Sequence, residues 1–190
     1  MNWYCDAAPG HEVHGPYHDD EYGVPVRDER VLFERLCLEI FQAGLSWELI
    51  LKRRPGLNAA FEGFAVDTVA AYGPDDVARL LGDARIIRNR LKVAAIIDNA
   101  QRVQRLRTSH GGFAQWLDAH HPMTRKGWVK VFRKTFAFTG PEVVNEFLMS
   151  IGLLPGGHRH DCPAHLRLLP LRPPWLVAQE AGFDFSGGEG

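Results

Sequence analysis

DERVLFERLCLEIFQAGLSW, residues 28–47, decides the fold class. Val31, Leu32, Leu36 and Ile40 recur on one helical face, and Asp28 stands where an N-cap belongs. Gly44 interrupts this helix, and Ser46 caps a second short one, SWELILKRR, which Pro55 is expected to end. Working outward, Asn58 and Asp67 read as further caps, and Pro74 suits the first turn of PDDVARLL. Residues 86–107 read as one long helix or a helical hairpin, with Leu91, Ala94, Ala95 and Asp98 near helical spacing. Gly111-Gly112 ends that stretch. FAQWLDAH and GWVKVFRKTF are helical in pattern, and PEVVNEFLMSIG opens on Pro and closes on Gly as a helix should. Strand-like alternation is scarce and no internal repeat is visible, so the expected class is all-α with short loops. Residues 1–27 are rich in Gly, Pro, His, Asp and Tyr and are expected to be loop and turn. From Pro163 the prolines argue against helix, apart from one turn at AQEAG, and the terminal FDFSGGEG is expected to be mobile.

The 190 residues, 45% hydrophobic, suit one compact domain or one with a small lobe. A net charge of −1 excludes a cationic coat but allows a local basic face. The N-terminus lacks a basic segment followed by an apolar run, and no stretch approaches about 18 consecutive apolar residues. A soluble cytoplasmic protein is the resulting expectation.

Three cysteines, Cys5, Cys37 and Cys162, are too few and too scattered for a secreted disulfide framework. Cys37, beside Leu36 and Leu38, reads as core. Cys5 and His18 lie near one end of the chain, and His158 and Cys162, spaced H-x3-C, near the other. Together they would make a closed Cys2His2 zinc site with no open position. His11, His14, His160 and His165 compete as ligands, and buried free thiols under a histidine-rich surface loop are the simpler alternative.

Two motifs in order, YHDDEYGVP at 17–25 and LCLEIFQAGLSW at 36–47, resemble the 3-methyladenine DNA glycosylase I family, a branch of the helix-hairpin-helix glycosylases. DARIIRNRLKVAAIIDNA at 83–100 resembles that family's DNA-binding hairpin, and the similarity continues through FTGPEVVNEFLMSIGLLPGGHRHDC at 138–162. The resemblance implies an all-α helix-hairpin-helix glycosylase fold over residues 1–165, followed by a proline-rich tail at 166–190, partly mobile. It implies a structural zinc on Cys5, His18, His158 and Cys162 that joins the chain ends. The family's pocket carboxylate falls on Glu39, its stacking aromatics on Tyr17 and Trp47, and a further aromatic position on Tyr22. Ile40 stands where the family commonly has Gly, His14 near a tyrosine position, and Leu91 in place of a hairpin Gly. The stretch MTRKGWVKVFRKTF lacks a longer Thr/Ser-rich loop.

The implied activity is hydrolytic removal of 3-methyladenine from double-stranded DNA by a monomeric, monofunctional enzyme. A duplex hides the glycosidic bond, so the nucleotide must be flipped into a pocket. Aromatic faces supply stacking of about 1–3 kcal/mol per base. The alkylated adenine is cationic, which favours electron-rich rings and a carboxylate such as Glu39. It is also a good leaving group, so no strong general acid is required. No lysine lies in the pocket motif to act as a lyase nucleophile. Residues 85–107 hold seven basic residues against one acidic, and 122–136 hold five against none. Arg88, Arg90 and Lys92 are expected at phosphates, and Gly44-Leu45 at the gap left by the flipped base, with Leu45 as wedge. Two other readings are a zinc-stabilised damage-binding module without catalysis and a metallohydrolase, which would need an open metal position.

Overall fold

A computed structural model describes residues 4–187. Among these, twelve α-helices are joined by short loops and two 3-10 turns, without strands: α1 Tyr4–Ala7, α2 His14–Asp20, α3 Glu29–Gln42, α4 Trp47–Ala60, α5 Val66–Ala70, α6 Pro74–Gly82, α7 Arg90–His110, α8 Phe113–His120, α9 Arg125–Thr135, α10 Pro141–Ser150, α11 Pro163–Leu168 and α12 Pro174–Glu180. No helix among them is long and apolar enough to cross a membrane.

Helix α3 is the central element. Asp28 caps it by accepting from the Val31 N–H at 3.0 Å. Leu32, Phe33, Leu36, Cys37, Leu38, Ile40 and Phe41 are all inaccessible to solvent. Each such side chain contributes roughly 1.5–3 kcal/mol relative to exposure, so α3 is surrounded rather than laid on a surface. It packs against α4, α7, α8 and α10. The long helix α7 starts at the cap Asn89 and ends at Gly111, whose φ of 92° supplies the left-handed residue that closes a helix. It follows α6 through residues 83–89, so the 86–107 stretch is one long helix preceded by a turn.

Several expectations are corrected. The N-terminal stretch carries α1 and α2. Helix α2 shows no apolar period because its buried face is Gly15, Tyr17 and His18, which a hydrophobicity pattern does not register. Pro55 does not end α4. An interior proline costs roughly 3 kcal/mol, and here burial of Leu57 and Ala60 beyond it, with Arg54 bridging Glu21 and Glu34, offsets that cost. Asn58 therefore lies inside α4, and Asp67 inside the first turn of α5, whose cap is Ala65. The tail folds as α11 and α12 because Pro163 and Pro174 occupy first-turn positions, where the missing N–H has no intrahelical partner to lose. It docks through Trp175, buried and donating its backbone N–H to Gly152 O at 3.2 Å. Phe185 packs on the core; the last three residues of FDFSGGEG lie outside the described range.

Candidate base pocket and metal-ligand cluster

A cleft of about 600 Å³ opens between α2, the C-terminal half of α3, the start of α4 and α10. Tyr17, Tyr22, Glu39 and Trp47, singled out from the sequence, all line it. Tyr17 and Trp47 meet edge to face with centroids 5.1 Å apart, and Tyr17 and Tyr22 lie 5.7 Å apart. Tyr17 is held from behind. Its hydroxyl accepts from Arg35 Nη1 at 3.4 Å, and that guanidinium sits over its ring at 5.0 Å. Arg35 is buried and paired with Glu21 at 2.8 Å, which Arg54 ties in turn to Glu34. This ionic chain fixes the ring and places a cation beside the cleft without filling it.

Glu39 is buried in α3 yet reaches the cleft, and has no hydrogen-bond partner among the described residues. Buried polar groups are ordinarily paired, so an unpaired carboxyl facing a cavity is a site prepared for a donor. Burial, and then the neighbouring Glu146, push its pKa well above the usual carboxylate range, while Arg35 pulls it down. Glu146, also raised chiefly by burial, accepts a hydrogen bond from the Tyr22 hydroxyl at 3.0 Å. Burial likewise raises the Tyr17 hydroxyl, which stays protonated.

Sequence reasoning missed Tyr4, Gln42, Glu142, Glu146, Met149 and Gly156 as lining residues. The available signal was the recurrence of Glu142, Glu146 and Met149 at i, i+4 and i+7, a second face on a helix whose apolar stripe is Val143, Val144, Phe147 and Leu148. Tyr4 gives no such signal, because α1 is a single turn.

Cys5, His18, His158 and Cys162 converge beneath this wall. Their ligand atoms lie within 4.8 Å of one another, and all four residues are buried. Sγ of Cys5 is 3.8 Å from Nδ1 of His158; Sγ of Cys162 is 3.8 Å from Nε2 of His18 and 4.0 Å from Nδ1 of His158. The outer ring nitrogens are engaged elsewhere, His18 Nδ1 with Asp19 at 2.7 Å and His158 Nε2 with Tyr22 O at 2.8 Å. That leaves one inward nitrogen per imidazole, the usual arrangement behind metal-ligating histidines. These residues could hold a metal ion. His11, His14, His160 and His165 are outside the cluster, and Cys37 is core.

On the outer side, Gly44 is exposed with φ 81°, and Leu45 is half-buried. Leu45 N–H donates to Gln42 O at 2.7 Å and Gln42 Nε2 to Leu45 O at 3.1 Å, so the turn is rigid. Arg88 and Arg90 are exposed, with no ion pair among the described residues. Lys92 is different. It is buried, and its ammonium donates to Phe41 O at 2.7 Å and Ala43 O at 2.6 Å, so it is turned away from any phosphate. The basic count of this segment is also partly consumed, since Arg85, Arg102 and Arg107 face carboxylates.

A family model described as methyladenine glycosylase matches residues 7–130. DNA-3-methyladenine glycosylase 1 of Escherichia coli is 36% identical over 157 residues, 73% of this chain and 84% of that protein. DNA-3-methyladenine glycosylase of Haemophilus influenzae is 30% identical over 182 residues, 86% of this chain and 98% of that protein. Among solved structures, a 3-methyladenine DNA glycosylase I superposes with a TM-score of 0.77 at 33% identity, covering 85% of this chain and 98% of its own. The Staphylococcus aureus enzyme, described for its recognition of 3-methyladenine, superposes with a TM-score of 0.77 at 28% identity, covering 86% of this chain and 96% of its own.

Proposed function

The chain belongs to the methyladenine glycosylase family, and from that premise we propose that it excises 3-methyladenine from DNA by hydrolysis in base-excision repair. The observation that carries this reading is Glu39, a buried carboxyl without a protein partner that faces a cleft walled by tyrosines and a tryptophan. A flipped base enters the cleft and packs against the wall that Tyr17 and Trp47 form together, and its exocyclic amine donates to Glu39. The cationic base favours the ionised carboxylate that burial alone disfavours, so the pocket is complementary to alkylated rather than normal adenine. As the glycosidic bond lengthens, positive charge moves to the sugar, and the Glu39 carboxylate stabilises it where water is largely excluded. Water completes the hydrolysis. Among the described residues no lysine lines the cleft, which suits a monofunctional enzyme without a covalent amine intermediate.

The metal we assign to Cys5, His18, His158 and Cys162 is zinc. Bond lengths of about 2.3 Å to sulfur and 2.0–2.1 Å to nitrogen place tetrahedral ligand atoms roughly 3.4–3.8 Å apart. Four of the six separations, 3.2–4.0 Å, lie near those edges, and all six are within 4.8 Å, so a small inward movement of Cys5 would complete the tetrahedron. Two thiolates and two imidazoles fill it, so the ion would hold structure and supply no reactive water. Arg88 and Arg90 serve the DNA phosphates, and Gly44-Leu45 the gap beside the flipped nucleotide.

The test is release of free methylated base from methylated duplex DNA by zinc-loaded protein. Wild type should release 3-methyladenine, and Glu39→Gln should be slower by roughly 10²-fold, the scale of one pre-oriented electrostatic group. No release by wild type would leave only a damage-binding module. Full activity in Glu39→Gln would remove the carboxylate from the mechanism.

A further inference from the structure

The loop joining α9 to α10, residues 136–140, is anchored more firmly than a surface connection requires. Asn99 of α7, fully buried, takes both sides of Ala137: its Nδ2–H donates to Ala137 O at 3.0 Å, and its Oδ1 accepts from Ala137 N–H at 2.7 Å. Arg102 donates to Thr135 O at 3.1 Å, and Thr139 Oγ1 to Phe136 O at 3.2 Å. Phe136 and Thr139 are buried. Phe138, between them, is not. Its φ of 59° puts a residue with a β-carbon in the left-handed region, where that carbon crowds the backbone. The residue is 43% exposed. Neither feature helps the chain fold, and strained residues held by a well-bonded frame concentrate at binding sites.

The position of the ring indicates the ligand. Lys92 Nζ, bonded to the carbonyls of Phe41 and Ala43, lies 6.0 Å from the Phe138 centroid, so one buried lysine links this loop to the turn carrying Gly44-Leu45. Phe138 lines a groove with Ala43, Arg102, Arg133 and Glu142, and Glu142 also lines the base cleft, so the groove runs into it. Arg133, in the same groove, is exposed with no ion pair among the described residues; Glu142 is 3.8 Å from Arg125. An apolar ring sharing a groove with an unpaired cation, continuous with a base pocket, has the character of a nucleic-acid contact.

We propose that the 136–140 loop is a second DNA-binding element, in which Phe138 packs on an exposed base or sugar beside the extruded nucleotide and Arg133 takes a phosphate. This rests on the function proposed above. It makes the loop the counterpart of the Leu45 turn, the two being braced against each other through Lys92.

The experiment measures the affinity of the full chain for a fluorescent duplex carrying a stable abasic-site analogue, across a salt series, and its affinity for free 3-methyladenine. Phe138→Ala should weaken duplex binding roughly 5- to 150-fold, the range of one lost stacking contact, with the salt slope unchanged. Arg133→Ala should reduce the salt slope by about one phosphate contact. Phe138→Gly separates binding from folding: it relieves the left-handed strain, so the unfolding midpoint should hold or rise while duplex affinity falls as in the alanine variant. Free-base binding should match wild type in all three. Wild-type duplex affinity in both Phe138 variants, with free-base binding intact, would overturn this proposal alone. A wild-type chain that bound neither duplex nor free base would overturn this proposal and the glycosylase reading with it.

Discussion

Lys92→Met replaces a buried ammonium by an apolar side chain of similar length. The ammonium serves the carbonyls of Phe41 and Ala43, at the C-terminal end of α3, where helix carbonyls lack internal partners. A cation there also meets the negative end of the helix dipole. Two hydrogen bonds to a charged donor are worth about 1.5–3 kcal/mol each. Burial lowers the pKa of this lysine, and that desolvation cost, absent in methionine, takes back part of the gain. A net destabilisation of roughly 2–4 kcal/mol follows, or about 5–15 °C in the unfolding midpoint for a chain of this size. Because the ammonium never reaches a phosphate, the salt dependence of DNA binding should keep its wild-type slope, whereas Arg88→Ala or Arg90→Ala should each reduce it by about one contact. Thermal unfolding and a salt titration of duplex affinity measure both quantities. A Lys92→Met variant as stable as wild type, with a slope reduced by about one, would refute the reasoning and return the lysine to the phosphate backbone.

Two further outcomes are expected. Purified protein should carry about one zinc per chain, and Cys162→Ser or exhaustive chelation should remove it. If free zinc stands near a thousandfold over its dissociation constant, its loss costs about 4 kcal/mol of stability; elemental analysis without zinc, together with a midpoint indifferent to chelator, would exclude the site. The second concerns pH. Burial and Glu146 raise the Glu39 pKa in the folded chain, so the folded state keeps this proton to higher pH than the unfolded state does. The stability from this group is fully present below the unfolded value near about pH 4.3 and is lost as pH rises through the folded value. Glu39→Gln, which cannot ionise, should therefore match wild type below about pH 4 and unfold at an increasingly higher temperature than wild type as pH rises above it. A variant with the same deficit or gain at every pH would contradict that.

What the sequence disclosed followed the physics of each element. The α3 helix and the turn after it were legible because Asp28 and Ser46 are real caps and the apolar spacing matches a buried helix. Helix α2 was not, because the residues it buries are an aromatic and a histidine whose burial depends on a cleft and a ligand cluster made elsewhere. For proline, position within a helix decides more than number. Pro163 and Pro174 start helices, and only the buried residues beyond Pro55 show why α4 continues through it. Glu39, Tyr17, Tyr22 and Trp47 were found together because motif order carries them. Glu146 was hidden because it enters the pocket from a helix more than a hundred residues away. For a related reason the sequence does not show where Lys92 points: a basic residue in a basic segment reads as exposed, and only the packing of α7 against the end of α3 turns it inward.

The ligand cluster and the base pocket are parts of one wall. Tyr17 and His18 are consecutive in α2, one facing the cleft and the other the cluster. Tyr22 works in both directions, its carbonyl accepting from His158 and its hydroxyl donating to Glu146. Gly23 closes the segment with φ 87°, where a β-carbon would come within 2.8 Å of Leu168 and 3.6 Å of His158, so the strap lies directly against the C-terminal part of the chain. A metal drawing Cys5 and His18 onto His158 and Cys162 would thus hold the tyrosine wall at a set distance from Glu39, which α3 fixes independently through the core. Losing the ion would leave the carboxylate in place and let the rings drift. The expected signature is weakened capture of the base, with the intrinsic chemistry of whatever still binds little changed. An ion that took part in bond cleavage would show the reverse, retained base binding with the cleavage step abolished. The first outcome would assign the metal to the wall and leave the chemistry to Glu39.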